Sequence, residues 1–328
     1  MMASVPGSTA IDAGLVERFK QALDRLNPEG GKIGLAVSGG PDSMAMLLLA
    51  TKAIPGGFEV ATVDHGLRPE ARDECALVVA ACKERGVPCE VLTVQVGEGN
   101  VQAKAREARY AALSDWAEDR QFAAIATAHH ADDQAETLIM RLNRGSGISG
   151  LAGVRERTRT PSELMLLIRP LLAFRRSELI GVVKASEVAV ANDPSNSDDG
   201  FDRVRLRKAL AKIDWIDTPG FARSASNLAE AEQALSYYAM MHWWGYVEVG
   251  EGRITINRQG PPAIFLRILQ RAIGELGGDA RGGNIAALRD AIRSGEKRTL
   301  GGILFEKKLN REGEVIWTLR PEPPRRTG

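Results

Sequence analysis

Through residue 217, short apolar runs alternate with stretches whose apolar positions recur every three to four residues. Residues 32–37, 58–63, 88–94, 122–126 and 164–168 read as buried strands. Between them, 44–50, 70–85, 100–119 and 131–144 carry the helical period. Strands alternating with helices predict parallel pairing through right-handed crossovers, hence an α/β fold with a doubly wound, mainly parallel sheet. The pattern changes around 215–220. A long helix is expected at 221–244, strands at 246–249 and 253–257, helices at 261–275 and 283–293, and hairpins from 299 to 319. The boundary is placed at 217, giving an α/β domain at 1–217 and a smaller, helix-rich α+β domain at 218–328. The Pro- and Arg-rich tail from about 321 is expected to be disordered.

The richest local signal follows the first strand: Ser38-Gly39-Gly40-Pro41-Asp42-Ser43, opening directly into a helix. Glycines at 39 and 40 would let the backbone approach phosphate oxygens. Pro41 suits the first helical position, where no N–H is needed. The amides that follow are orphan donors at the positive end of the helix dipole, and Ser38 and Ser43 add hydroxyls. Together these make a pyrophosphate cradle at the carboxyl end of a strand. A carboxylate beside such a cradle is repulsive unless a divalent cation lies between, so Asp42 reads as a Mg2+ ligand. The loop lacks the Gly-Lys-Ser/Thr of a Walker motif and the GxGxxG of a dinucleotide site.

A second constellation follows the fourth strand: His129-His130-Ala131-Asp132-Asp133-Gln134-Ala135-Glu136. Helical spacing puts Asp132 or Asp133 on the face of Glu136, a carboxylate pair beside two imidazoles. An acidic first turn capping an ordinary helix would also account for any one of these residues.

SGGPDS resembles the SGGxDS signature of the PP-loop ATP pyrophosphatases. HHADDQAET running into RLNRGSGISGL resembles, more narrowly, the tRNA(Ile)-lysidine synthetases. Residues 63–68 (VDHGLR), Arg106 with Arg109-Tyr110, RPLL at 169–172 and the D-S-N segment at 193–196 keep the same order, covering about residues 30–210. Val204 departs from the family pattern, which has Asn there. The resemblance implies an ATP-dependent ligase that adenylates the wobble cytidine of an isoleucine tRNA, releases pyrophosphate and joins free L-lysine to the base. It implies ATP and Mg2+ bound by Ser38 to Ser43 with Asp64 and His65 nearby. Asp133 and Glu136 would hold the lysine ammonium, with Asp132 close by. His129 or His130 would contact ATP phosphates, and Arg109 would clamp a phosphate or carboxylate. Another PP-loop enzyme, such as a tRNA thiolase or an ammonia-dependent nucleotide synthetase, is the nearest alternative. A non-catalytic tRNA-binding protein is the alternative from a different class.

Composition refines the picture in three places. Net charge is +1, so contact with a polyanion needs a local patch. One is available: residues 141–176 hold eight arginines against Glu156 and Glu163, and Arg203, Arg205, Arg207 and Lys208 form a second basic stretch. Both are expected to face a tRNA anticodon loop. Cys75, Cys82 and Cys89 form no CxxC, which disfavours a zinc knuckle or a cysteine-held cluster and fits reduced thiols. No leader-like segment and no run of about 18 apolar residues occurs, so a cytoplasmic protein without membrane contact is expected. Self-association into a homodimer is left open. Tyr237, Tyr238, Trp243 and Trp244 are expected to pack in a core rather than stack on bases.

Overall fold

The computed structural model describes residues 10–66, 70–95, 97, 100–191, 200, 202–213, 215–279, 287–288, 290, 294–295 and 297–322. The chain divides into two compact units, Met1–Ala229 and Glu230–Gly328.

In the first unit six strands form one sheet: β1 (Ile33–Ala36), β2 (Phe58–Asp64), β3 (Cys89–Thr93), β4 (Ala124–Ala126), β5 (Arg157–Arg159) and β6 (Leu166–Ile168). Their order is β3-β2-β1-β4-β6-β5. Every pair is parallel except β5 with β6. The chain runs outward from β1 to β3 and then crosses back to β4, so winding reverses between β1 and β4. Ligands of open α/β sheets bind outside the carboxyl ends of strands at such a reversal. Strand β5 was not expected. Its sequence is Arg-Thr-Arg at the sheet edge, with no apolar run to announce it.

The helices of this unit are α1 (Ala13–Leu26), α2 (Pro41–Ala53), α3 (Glu70–Glu84), α4 (Val101–Asp119), α5 (Ala131–Asn143), α6 (Ile148–Leu151), α7 (Arg176–Ala185) and α8 (Asp202–Leu210), followed by the start of α9 (Thr218–Tyr246). Helix α2 is buried continuously from Ser43 to Ala50. A helix apolar on every side must be covered on every side. Helices α1 and α7 supply that cover with Phe19, Leu23 and Leu26, and with Leu179, Val182 and Val183. Helix α4 lies against the other part of the sheet, packing Tyr110, Leu113 and Trp116 with Phe122, Ile125 and Leu167. A Cβ at Gly34 of β1 would collide with the Trp116 ring, so this glycine sets how closely α4 approaches.

Helix α9 runs unbroken through residue 229, so the division between units falls inside a helix. The change of texture at 215–220 marks where that helix starts. In the second unit, β7 (Val247–Gly250), β8 (Arg253–Ile256), β9 (Arg298–Leu300), β10 (Ile303–Leu309) and β11 (Val315–Pro321) form an antiparallel sheet in the order β7-β8-β11-β10-β9. Helix α10 (Pro262–Glu275) packs Phe265 and Leu269 against Trp317, Phe305 and Ile254. Most of the helix expected at 283–293 lies outside the described residues, as does the tail from 323.

The aromatic residues of α9 correct the expectation of core packing. Trp243 is buried, with the Arg271 guanidinium 4.3 Å from its ring centre. Tyr237, Tyr238 and Trp244 are 54%, 63% and 67% exposed. Leu235, Ala239 and Trp243 are spaced by four and form the inward stripe. The other three aromatics fall on the opposite side of the helix.

Candidate active site

Strand β1 ends at Ala36 and α2 begins at Pro41, leaving a four-residue turn, 37–40. Gly39 has φ +83°, a conformation side chains rarely adopt, and a Cβ there would sit 3.1 Å from the Glu74 carbonyl oxygen. Gly40 differs from expectation. Its backbone is ordinary, with φ −68° and ψ 160°. An added Cβ there would meet nothing nearer than Ser38 Oγ at 3.8 Å, so Gly40 contributes open space rather than conformational freedom. The serine hydroxyls tie the loop to itself: Ser38 N–H donates to Ser43 Oγ at 3.1 Å, and Ser43 Oγ donates to the Gly40 carbonyl at 3.0 Å. The first-turn amides of α2, which helix geometry leaves without acceptors, are the donors that face outward.

Strand β4 ends level with β1, and the chain passes through Thr127, Ala128, His129 and His130 into α5. The two imidazoles have opposite characters. Burial, then the charge of Arg169, pushes His129 down to about 4, so it is neutral at pH 7. Its Nδ1 lies 3.1 Å from Thr127 Oγ1. Burial also opposes charge on His130, but the carboxylates of Asp132 and Asp42 outweigh it and raise His130 to about 9. His130 sits among three carboxylates, with Nε2 3.5 Å from both Asp42 Oδ2 and Asp133 Oδ2, and Nδ1 3.6 Å from Asp132 Oδ2.

Each acidic residue of the motif has a definite partner. Asp132 accepts the Arg176 N–H at 2.8 Å, capping the start of α7. Asp133 accepts the His130 N–H at 3.0 Å and Arg203 Nη2 at 2.7 Å. Glu136 is 1% exposed and accepts Arg203 Nε at 2.5 Å, Arg207 Nε at 2.6 Å and Arg207 Nη2 at 3.1 Å. Glu136 in turn raises the Arg207 guanidinium above its ordinary value. The basic stretch at 203–208, expected to face RNA, is therefore partly turned inward. Residues 203 and 207 share a helical face, and a carboxylate as buried as Glu136 requires cationic partners.

A cleft of about 680 Å3 joins the two motifs. Of the expected residues, Ser38, Gly40, Pro41, Asp42, Ser43, His65, Arg109, His129 and Asp133 border it, while Gly39 shapes the turn without lining the cleft. His130, Asp132 and Glu136 stand behind its wall. Asp64 also lies outside it, accepting the Gly66 N–H at 2.8 Å in a tight turn after β2. Tyr110 also borders the cleft, as do Arg176, Arg203 and Arg207 from the two basic stretches, which were expected to flank the pocket for RNA rather than to serve its carboxylates. The signal for the arginines was present: four carboxylates in a largely buried setting demand counter-ions. Which arginines serve is decided by chain crossings that no local pattern reveals. Residues 67–68, 193–196 and 201 lie outside the described residues.

The acidic side of the cleft fits a divalent cation bound through one carboxylate. Asp42 Oδ1 is buried without a hydrogen-bond partner, at the mouth of the amide cradle, with Arg176 Nε 3.9 Å away.

Residues 13–213 match the PP-loop domain family. A tRNA(Ile)-lysidine synthase of Novosphingobium aromaticivorans is 43% identical over 295 residues, 89% of this chain and 90% of that protein. One of Zymomonas mobilis is 36% identical over 319 residues, 94% of each. Among solved structures, a U34-tRNA thiolase from Methanococcus maripaludis shares the fold, with a TM-score of 0.52 at 19% identity over 67% of this chain and 80% of that one. A glycine turn and a His-His-Ala-Asp-Asp segment meeting at one cleft, with matches of this identity along most of the chain, place this enzyme in the tRNA(Ile)-lysidine synthase family.

Proposed function

We propose that the chain uses ATP to adenylate the wobble cytidine of an isoleucine tRNA and then joins lysine to C2 of that base. The observation carrying this reading is the single cleft that brings the Gly39 turn and the His129–Asp133 segment together at the reversal between β1 and β4. In the first step the cytosine O2 attacks the α phosphorus of ATP and pyrophosphate leaves. In the second, the ε-amine of lysine attacks C2, the amine proton is lost, and AMP departs with the former carbonyl oxygen. Adenylation converts a poor leaving group into a good one.

The first-turn amides of α2 hold the departing pyrophosphate, placing donors where charge develops. Asp42 would hold Mg2+, which supplies charge neutralisation for that leaving group. His130 keeps Asp42 and Asp133 in place from behind. His129, being neutral, borders the cleft without adding charge.

Lysine arrives as an ammonium, and freeing its amine at pH 7 costs roughly 4.6 kcal/mol. Asp133, on the cleft, is suited to receive that cation with the buried Glu136 behind it, but Arg203 and Arg207 hold the two carboxylates now. An ordering follows from charge. The triphosphate of ATP competes for the two guanidiniums, and the carboxylates they release take the ammonium. ATP thus binds before lysine.

The test is mass spectrometry of isoleucine tRNA after incubation with ATP, Mg2+ and lysine, with the nucleotide products separated in parallel. A lysine-bearing cytidine with AMP and pyrophosphate is expected. ADP and orthophosphate would remove the proposal.

A further inference from the structure

The chain's three cysteines all lie on α3 and β3, and the function proposed above uses none of them. Two of them form a pair. Helix α3 ends at Glu84, two residues after Cys82, and Gly86 with φ +64° turns the chain straight back. Val87 N–H donates to the Cys82 carbonyl at 3.0 Å. The Pro88 carbonyl then accepts the Val60 N–H at 2.9 Å, and Cys89 opens β3 in register with Val60. This return packs Cys89 against the core cluster that holds Cys82, Val60 and Val78. Cys82 is fully buried and Cys89 half-buried. The Cys82 thiol hydrogen-bonds to the Cys89 sulfur, which lowers Cys89 from the ordinary thiol value although burial opposes it, and raises Cys82. The half-buried sulfur is therefore the readier thiolate, and the second sulfur stands behind it.

The other end of α3 reaches the cleft, where Ala71, Glu74 and Cys75 border it. The Glu74 carbonyl packs so closely on the phosphate turn that a Cβ at Gly39 would sit 3.1 Å from it. Thr62 Oγ1 donates to Cys75 Sγ at 3.5 Å. Burial raises Cys75, so the thiol nearest the cleft stays protonated and reacts slowly. A helix moves as a stiff rod, so a displacement at Cys82 is felt at Glu74, about 12 Å along the axis.

We infer that Cys82 and Cys89 are a peroxide-sensitive dithiol whose oxidation weakens ATP binding through α3. The Cys89 thiolate attacks one oxygen of hydrogen peroxide and the O–O bond breaks. The hydroxide that leaves takes up the proton Cys89 released, giving water and a sulfenic acid. The Cys82 sulfur loses its proton and attacks the Cys89 sulfur; the S–O bond breaks and a second water departs. The two thiols give up two electrons and the peroxide takes them. A disulfide holds two sulfurs closer than a hydrogen bond does. Helix α3 is thereby drawn towards β3, and the Glu74 carbonyl shifts against Gly39. The inference rests on ATP being bound over that turn, as proposed above.

Full-length protein is exposed to a small molar excess of hydrogen peroxide, quenched with catalase, alkylated without reduction and mapped by peptide mass spectrometry. ATP binding is titrated on the same samples. A peptide linking Cys82 to Cys89 is expected, with Cys75 recovered alkylated. The dissociation constant for ATP is expected to rise about 10-fold, the scale of one lost hydrogen bond, and to return when dithiothreitol is added. Cys89→Ala, at a half-buried position outside the cleft, is expected to fold and to bind ATP like the reduced wild type, before and after peroxide. A disulfide from either residue to Cys75, or no disulfide, overturns the pair. A Cys82–Cys89 disulfide with unchanged ATP affinity overturns the coupling. Equal loss of ATP binding in peroxide-treated Cys89→Ala assigns the sensitivity to another group and overturns it as well. A reduced wild type that binds no ATP overturns the coupling together with the reading beneath it, whereas the disulfide map is read without ATP.

Discussion

His129 and His130 are adjacent in sequence, yet their surroundings drive their protonation in opposite directions. Sequence could place both imidazoles beside the phosphate turn; it could not tell which carries charge, because that depends on how deeply each is buried and, besides the nearby Asp132, on Arg169 and Asp42, far away along the chain. His129 has a measurable consequence. Its folded-state value, about 4, lies below the unfolded 6.5. Its contribution to stability is therefore present above pH 6.5 and lost as pH falls towards 4. Urea midpoints should decline across that window in the wild type and decline less in His129→Gln; equal slopes would show that His129 is not the group responsible. The glycine turn offers a second contrast. Gly39→Ala forces a side chain into φ +83° against the Glu74 carbonyl and should cost on the order of 1–3 kcal/mol of stability. Gly40→Ala has no backbone penalty but puts a methyl into the cradle. It should leave the thermal midpoint within about 2 °C while raising KM for ATP. If Gly40→Ala binds ATP normally, phosphate does not lie over that turn.

The elements differ in how much of themselves they announce. Strands β1, β2, β3, β4 and β6 were legible because each is a short stretch rich in apolar and β-branched residues between turn residues. Helix α2 was legible from its apolar content, although nothing in that content says that α1 and α7 will cover it. Helix α8 hides its role altogether. Its nine residues include Arg203, Arg205, Arg207 and Lys208, which read as a solvated basic face. Only the approach of α8 to α5 shows that two of them neutralise Glu136. This predicts an energetic coupling between the two helices. Glu136→Gln and Arg207→Gln should each destabilise the protein, and the double variant should lose less than their sum by on the order of 1–2 kcal/mol, the guanidinium being partly solvated. Urea unfolding of the four proteins in the cycle measures it. Strict additivity would mean the pair contributes nothing beyond its separate hydrogen bonds with solvent.

At the scale of the whole molecule, a net charge of +1 gives a polyanion no general reason to bind. In sequence the arginine-rich segment 141–176 reads as one positive band, but folding disperses it. Arg169 is buried, Arg176 borders the cleft, Arg175 pairs with Asp217 and Arg144 reaches Asp202 at 3.9 Å. Charge counted along the chain cannot foresee this, because pairing partners such as Asp202 and Asp217 arrive from later elements. What remains facing solvent is concentrated on the edge strand β5, where Arg157 and Arg159 are exposed and form no ion pair among the described residues. If the tRNA backbone passes the cleft on this side, these two side chains meet it. Each phosphate contact contributes about 0.7–0.9 to the slope of log K against log salt. Replacing both arginines with glutamine should therefore make the slope for isoleucine tRNA shallower by roughly 1.5, with KM for lysine unaltered, since neither residue borders the cleft. An unchanged slope would put the backbone on another face and leave β5 as an edge that two charges merely keep from pairing with a neighbouring strand.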